Sequence, residues 1–160
     1  VERFEEIRDR VKELADSGTD MMEILSIVIS MLKGRFAHFD WVGIYLLQGK
    51  VLSLEAYMGK PSPHERINIK DGICGAAARE RKTIVVDDVE KDTRYLTCSP
   101  STRSEIVVPI IRDDEVLGEI DVDSDTLAAF DENDRKGLEM VAEKLAKILK
   151  RDYKWEGETR

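Results

Sequence analysis

The residues of this 160-residue chain that could do chemistry fall in a few short stretches. Only two cysteines occur, Cys74 in Asp71-Gly72-Ile73-Cys74-Gly75 and Cys98 in Tyr95-Leu96-Thr97-Cys98-Ser99-Pro100. The thiolate is the nucleophilic form, and a loop-to-helix junction such as that around Cys74 is expected to lower a thiol's pKa. Cys98 stands in a polar loop and is expected to be accessible. Across residues 116–123 side chains alternate with period two, so Glu119, Asp121 and Asp123 share one face and Val116, Gly118, Ile120 and Val122 the other. The stretch before it opens on Glu105, on the face opposite Ile106, Val108 and Ile110. Pairing of the two stretches would bring Glu105 near Asp121 or Asp123. Such alternation ordinarily means a solvated face of a half-covered sheet. The sharper reading is a pocket lined by carboxylates, whose repulsion requires a bound cation or a retained proton. Trp41, Gly43 and Tyr45 share a face further upstream. Aromatics there serve as core or, beside carboxylates, as the wall of a site for a cationic amine with an apolar tail.

Several chemistries are excluded. Two cysteines plus His38 and His64, without useful spacing, are too few soft ligands for a zinc or iron–sulfur centre, so neither a metal nor a cofactor is expected. Neither histidine sits in a nucleophile–base setting, and no Gly-rich phosphate loop is present. A net charge of −8, with 36% charged residues, argues against nucleic acid or an anionic membrane as partner. No apolar run is long enough to span a bilayer, and the N-terminal VERFEEIRDRVKELAD lacks a signal-peptide core, so a cytoplasmic protein is expected. A structural disulfide is not expected in that compartment.

The elements that must position these residues are legible. Phe4, Ile7, Val11 and Leu14 recur at helical spacing, and Ser17-Gly18 ends that helix. Thr19 can cap a second, with Met22, Leu25, Ile29 and Leu32 on its stripe, ending near Gly34. Residues 39–47 and 51–57 flank Gly49-Lys50 as a hairpin. A short strand is expected around Ile67, a short helix from Cys74 to Arg81, and a strand over 83–86. The long polar connection from Asp87 to Arg103 reads as a functional or disordered loop. Strands over 105–111 and 116–123 flank an Asp113-Asp114 turn. Asp131, Glu132 and Asp134 open a last helix with Leu138, Val141, Leu145 and Ile148 on its stripe. The order ααβββαβββα implies one α+β domain over residues 1–160. Its helical segment covers about 1–34, sheet and pocket about 38–124, and the last helix about 131–151.

The text from residue 41 onward resembles the free methionine-(R)-sulfoxide reductases, a family of GAF-domain enzymes. The resemblance is carried by Trp41-Val-Gly-Ile-Tyr45, Gly59-Lys60 and Gly72-Ile-Cys74-Gly-Ala-Ala. It continues in Cys98-Ser-Pro-Ser-Thr-Arg-Ser104-Glu105-Ile-Val-Val-Pro109, Gly118-Glu-Ile-Asp121-Val-Asp123-Ser124 and Phe130-Asp131-Glu-Asn-Asp134-Arg135. It implies a GAF-type antiparallel sheet with the N- and C-terminal helices on one face and a ligand pocket on the other. It further implies that Cys98 attacks the sulfoxide sulfur and that Glu105 hydrogen-bonds and protonates the sulfoxide oxygen. Asp121 and Asp123 would bind the substrate ammonium, and Trp41 and Tyr45 would form the wall near the methyl group. A sulfenic acid on Cys98 would then be converted to a disulfide by a second thiol.

Many members of that family carry a third cysteine shortly after Gly-Lys, where this chain has Pro63 or His64. Cys74 or an external thiol must therefore resolve Cys98, with a thioredoxin-like dithiol expected as the donor and a homodimer as the assembly. Two rival readings remain at this point. One is a non-catalytic GAF module that binds a small ligand and signals through its last helix, which could dimerise. The other is a redox-sensing thiol domain without a substrate.

Overall fold

The computed structural model describes residues 2–97 and 99–149. Helix α1 (Glu2–Asp16) buries Phe4, Ile7, Val11 and Leu14, the stripe its spacing predicts. It ends where Gly18 takes a φ of +74°, with Gly18 N–H bonded to Ala15 O and Thr19 N–H to Leu14 O. Those two bonds form the Schellman arrangement. They also correct the expected cap of the next helix. Thr19 closes α1, and Asp20 caps α2 (Met21–Arg35), its carboxylate accepting from Met22 N–H.

Six strands follow: β1 (Trp41–Gln48), β2 (Val51–Met58), β3 (Arg66–Asn68), β4 (Ile84–Val86), β5 (Ser104–Arg112) and β6 (Glu115–Ser124). Helix α3 (Gly72–Glu80) lies between β3 and β4, and α4 (Glu132–Ile148) closes the described chain. The sheet order is β3-β2-β1-β6-β5-β4, and every pairing is antiparallel. Asp113 and Asp114 both have positive φ, 51° and 63°, which makes the β5–β6 connection a primed turn suited to the twist of its strands. Asp131 caps α4 reciprocally with Asp134, each carboxylate accepting the other's backbone N–H.

Side-chain alternation divides the interior in two. Val42, Ile44, Leu46, Ile106, Val108, Ile110, Ile120 and Val122 form one face of the sheet and pack under α1, α2 and α4. Trp41, Tyr45, Leu52 and Val107 form the other and pack under α3. Helices α1, α2 and α4 thus cover one face, and the candidate site lies on the other, beside α3. Period two breaks once in β6. Ile110 pairs with Gly118 and Ile111 with Val116, leaving Leu117 as an extra residue. This bulge turns Val116 toward the α3 side and Leu117 toward the helices, against the alternation expected there. The stripe of α4 is spent within the chain, since Leu138, Val141 and Leu145 are buried against the sheet and α1. A dimer would need another face.

Gly137 marks where α4 meets α1. A Cβ there would lie 2.0 Å from the Phe4 ring, itself stacked on Phe36 at 4.3 Å between centroids. Glycine to alanine inside a helix ordinarily gains up to about 1 kcal/mol. Here overpacking should dominate, and Gly137→Ala should lower stability by about 1–3 kcal/mol, read as a lower urea midpoint at unchanged slope.

Candidate active site

Two register facts assemble the site. Across β1 and β6, Trp41 pairs with Asp123, Gly43 with Asp121 and Tyr45 with Glu119. Across β5 and β6, Glu105 pairs with Asp123 and Val107 with Asp121. One face of three adjacent strands therefore carries four carboxyls and two aromatic rings. All four carboxyl residues are buried: Glu105 is 3% exposed, Glu119 0%, Asp121 1% and Asp123 2%. The expected approach of Glu105 to Asp121 and Asp123 is what the register produces. Gly43 sits between the two aromatics because a Cβ there would strike the Trp41 ring at 2.3 Å.

Cys74 comes in from above. It lies in the first turn of α3, which rests closely on the preceding chain: a Cβ on Gly75 would be 2.6 Å from Ile69 O. Its Sγ donates to Asp121 Oδ2 at 3.4 Å. The lowered thiol pKa expected of a helix start is not found. Burial pushes the thiol well up, and Asp121, Glu119 and Glu105 push it further. Three buried carboxyls outweigh the partial positive charge of one short helix. Cys98 lies outside the described residues. Its neighbours border the site: His64 Nε2 is 3.0 Å from Thr97 O, and Ser99 lines a cavity together with Trp41 and Asp123.

Three of the carboxyls titrate abnormally for a plain reason. Burial, then Asp123 and Glu119, raise Asp121 well above the usual range, and burial alone raises Glu119. Burial raises Asp123 to about 6, against the opposing effect of a hydrogen bond with Glu105. One oxygen each of Asp121 and Asp123, and both of Glu119, are sealed from solvent without a hydrogen-bond partner of ordinary geometry among the described residues. Protons or a bound cation must balance these groups.

Two cavities adjoin them. One, of about 40 Å³, is lined by Trp41, Lys60, Ser99, Ser101 and Asp123 among others. The other, of about 10 Å³, is lined by Cys74, Glu105, Asp121, Ile67 and Leu96 among others. The aromatics differ in their use. Trp41 lines the larger cavity and donates Nε1–H to Lys60 O at 3.0 Å, whereas Tyr45 is fully buried and its hydroxyl donates to His64 O at 2.9 Å. Sequence reasoning put Glu119 on the carboxylate face without giving it a role, and left His64 out of the site. For Glu119 the signal was present, since alternation already put it on the face of Asp121 and Asp123. For His64 no local pattern existed, because its contact with Thr97 spans 33 residues.

The GAF domain profile matches residues 20–149. Free methionine-R-sulfoxide reductase of Escherichia coli is 30% identical over 137 residues, covering 85% of this chain and 82% of that one. The chain belongs to the GAF domain family, alongside the free methionine-R-sulfoxide reductases. GAF domain-containing protein A of Dictyostelium discoideum is 36% identical over 141 residues, 88% of each chain. The free methionine-R-sulfoxide reductase of Neisseria meningitidis, solved in complex with its substrate, superposes with a TM-score of 0.82 at 35% identity. That match covers 90% of this chain and 86% of that one.

The raised carboxyl pKa values of this GAF domain carry a stability signature. Asp123 holds its proton in the fold up to about pH 6, whereas the unfolded carboxyl loses it near 3.8. The stability it contributes is complete below the unfolded value and is lost as pH rises through the folded one. In urea unfolding without ligand, Asp123→Asn should lose less stability than the parent between about pH 4 and pH 7, by about 1–3 kcal/mol. Parallel pH profiles would remove Asp123 from this set.

Proposed function

We propose that this GAF domain reduces the R-sulfoxide of free methionine to methionine by thiol chemistry. The observation that carries the reading is the buried carboxyl set, with no cation among the causes that shift Glu119, Asp121 and Asp123. A free amino acid brings an ammonium to compensate it, and a peptide-bonded methionine does not. Family membership supports the substrate class, because the Neisseria relative is described with its substrate bound.

In this reading Asp121 and Asp123 take the ammonium, and Trp41, backed by Tyr45, packs the apolar end. Glu105 is the acid. A sulfoxide oxygen leaves poorly until it is protonated, and a carboxyl at this position, 3% exposed, is the group that would supply the proton. The Cys98 thiol attacks sulfur and takes the oxygen, leaving methionine and a sulfenic acid on Cys98. The Cys74 thiol then attacks that sulfur, forming the disulfide and releasing water. An external dithiol of the thioredoxin type restores both thiols by exchange, in a reducing compartment such as the cytoplasm. Asp121 Oδ2 accepts from Cys74 Sγ, and in this reading it takes the thiol proton once the substrate ammonium has displaced its own. No helix among the described residues is long and apolar enough to cross a membrane.

Racemic methionine sulfoxide incubated with the protein and a thiol reductant should lose only its R epimer. Cys98→Ser should abolish the single turnover that precedes recycling, and Glu105→Gln should slow the chemical step by ~10²–10⁴. Consumption of both epimers, or an unaffected Cys98→Ser variant, would overturn this mechanism.

The same carboxyls should enforce the free amino terminus. An N-acetylated R-sulfoxide leaves Asp121 and Asp123 unpaired and should be a poorer substrate, by ~10⁴–10⁵ in kcat/KM if the site is as polar as its burial implies. Comparable turnover of the two would point to protein repair.

A further inference from the structure

Two cysteines and two histidines looked too few to hold a metal, yet the fold recruits carboxyl oxygens to one of those cysteines. Donor atoms of Cys74, Glu105 and Asp121 all lie within 4.8 Å of one another. The same three residues line the cavity of about 10 Å³ between α3 and the sheet, a volume that suits a single water or ion. Asp121 is 1% exposed, and while its Oδ2 accepts from the Cys74 thiol, its Oδ1 has no partner among the described residues. Asp123, next along the same face, keeps a sealed Oδ1 of its own.

We propose that the reduced protein binds one zinc-type divalent cation through Cys74 Sγ, Glu105 and Asp121. A thiolate with two carboxylate oxygens is a borderline donor set, which favours zinc over magnesium or calcium, since those ions require oxygen cages. Typical Zn–S and Zn–O lengths of about 2.3 and 2.0 Å need the donors drawn inward by roughly an ångström from the widest spacing observed. Coordination exchanges the thiol proton for the metal, forming the Zn–S bond and releasing H⁺. It also meets the charge requirement of the carboxyls by a route other than a substrate ammonium. The consequence for activity rests on the reductase reading: the metal occupies Asp121 and ties up Cys74, so it should compete with substrate and block recycling.

The test uses the full chain, kept reduced by a phosphine and freed of metal. Cobalt(II) should give a thiolate charge-transfer band with tetrahedral visible bands at one equivalent, and zinc should bleach both. Cys98→Ser should bind as the parent does. Cys74→Ser and Asp121→Asn should weaken zinc binding, measured against a chromophoric chelator, by at least ~10–100-fold, the loss that even outer-shell partners produce. Circular dichroism establishes that each variant is folded, and Glu105→Gln serves where one is not. Absence of the charge-transfer band in the parent, or its loss in Cys98→Ser, would overturn the site. Binding is read without substrate, so a chain that binds zinc but turns over no methionine sulfoxide would refute the reductase reading and leave the metal site standing.

Discussion

Everything on the α3 side of the sheet follows from four carboxyl groups being shut away from water on adjacent strands. Burying one unpaired carboxylate is costly, and burying several together multiplies the cost. On Glu119, Asp121 and Asp123 the chain meets it by raising their pKa values, and burial heads the causes of all three shifts. A face built this way stores electrostatic free energy that only a cationic ligand or a proton releases. The helix side carries no such charge. Its aliphatic and phenylalanine packing under α1, α2 and α4 supplies the stability that allows the opposite face to be unfavourable.

Cys74 shows how that environment governs reactivity. Alone, a thiol in the first turn of a helix would ionise easily. Set over Asp121, Glu119 and Glu105, it is held in the neutral form, and its proton is directed at Asp121. A thiol so placed is inert to casual oxidation until the charge beneath it changes. In the proposed reaction an ammonium arriving on Asp121 and Asp123 would be such a change, linking occupancy of the site to availability of the second thiol through the same oxygens.

Much of this was legible because two periodicities carry the information. The helical stripes of α1 and α4 and the alternation in β5 and β6 located the helices, the strands and the shared face of Glu105, Asp121 and Asp123. The family resemblance likewise rested on residues whose spacing survives in plain text. What failed, failed for identifiable reasons. Thr19 and Asp20 are both good caps, and only the backbone bonds that close α1 decide between them. The Leu117 bulge leaves no local mark, since it arises from pairing with β5. The acidity of Cys74 depends on residues 31 to 47 positions away, and no reading of its own loop could supply them.

The two tethers from β1 have a kinetic meaning. Trp41 Nε1–H and Tyr45 O–H grip the carbonyls of Lys60 and His64, so the loop between β2 and β3 is buttoned to the strand beneath it at both ends. The cavity under that loop, at about 40 Å³, is far below the size of an ordinary ligand pocket. An amino acid entering beneath the loop would need more room than this, and opening both hydrogen bonds is one way to gain it. Two neutral hydrogen bonds are worth about 1–3 kcal/mol together, which would leave a form with both open at roughly 0.6 to 16 per cent. A ligand entering that way would bind roughly 6- to 160-fold more weakly than the open site alone would allow, a penalty set by one ring that lines the cavity and one buried behind it.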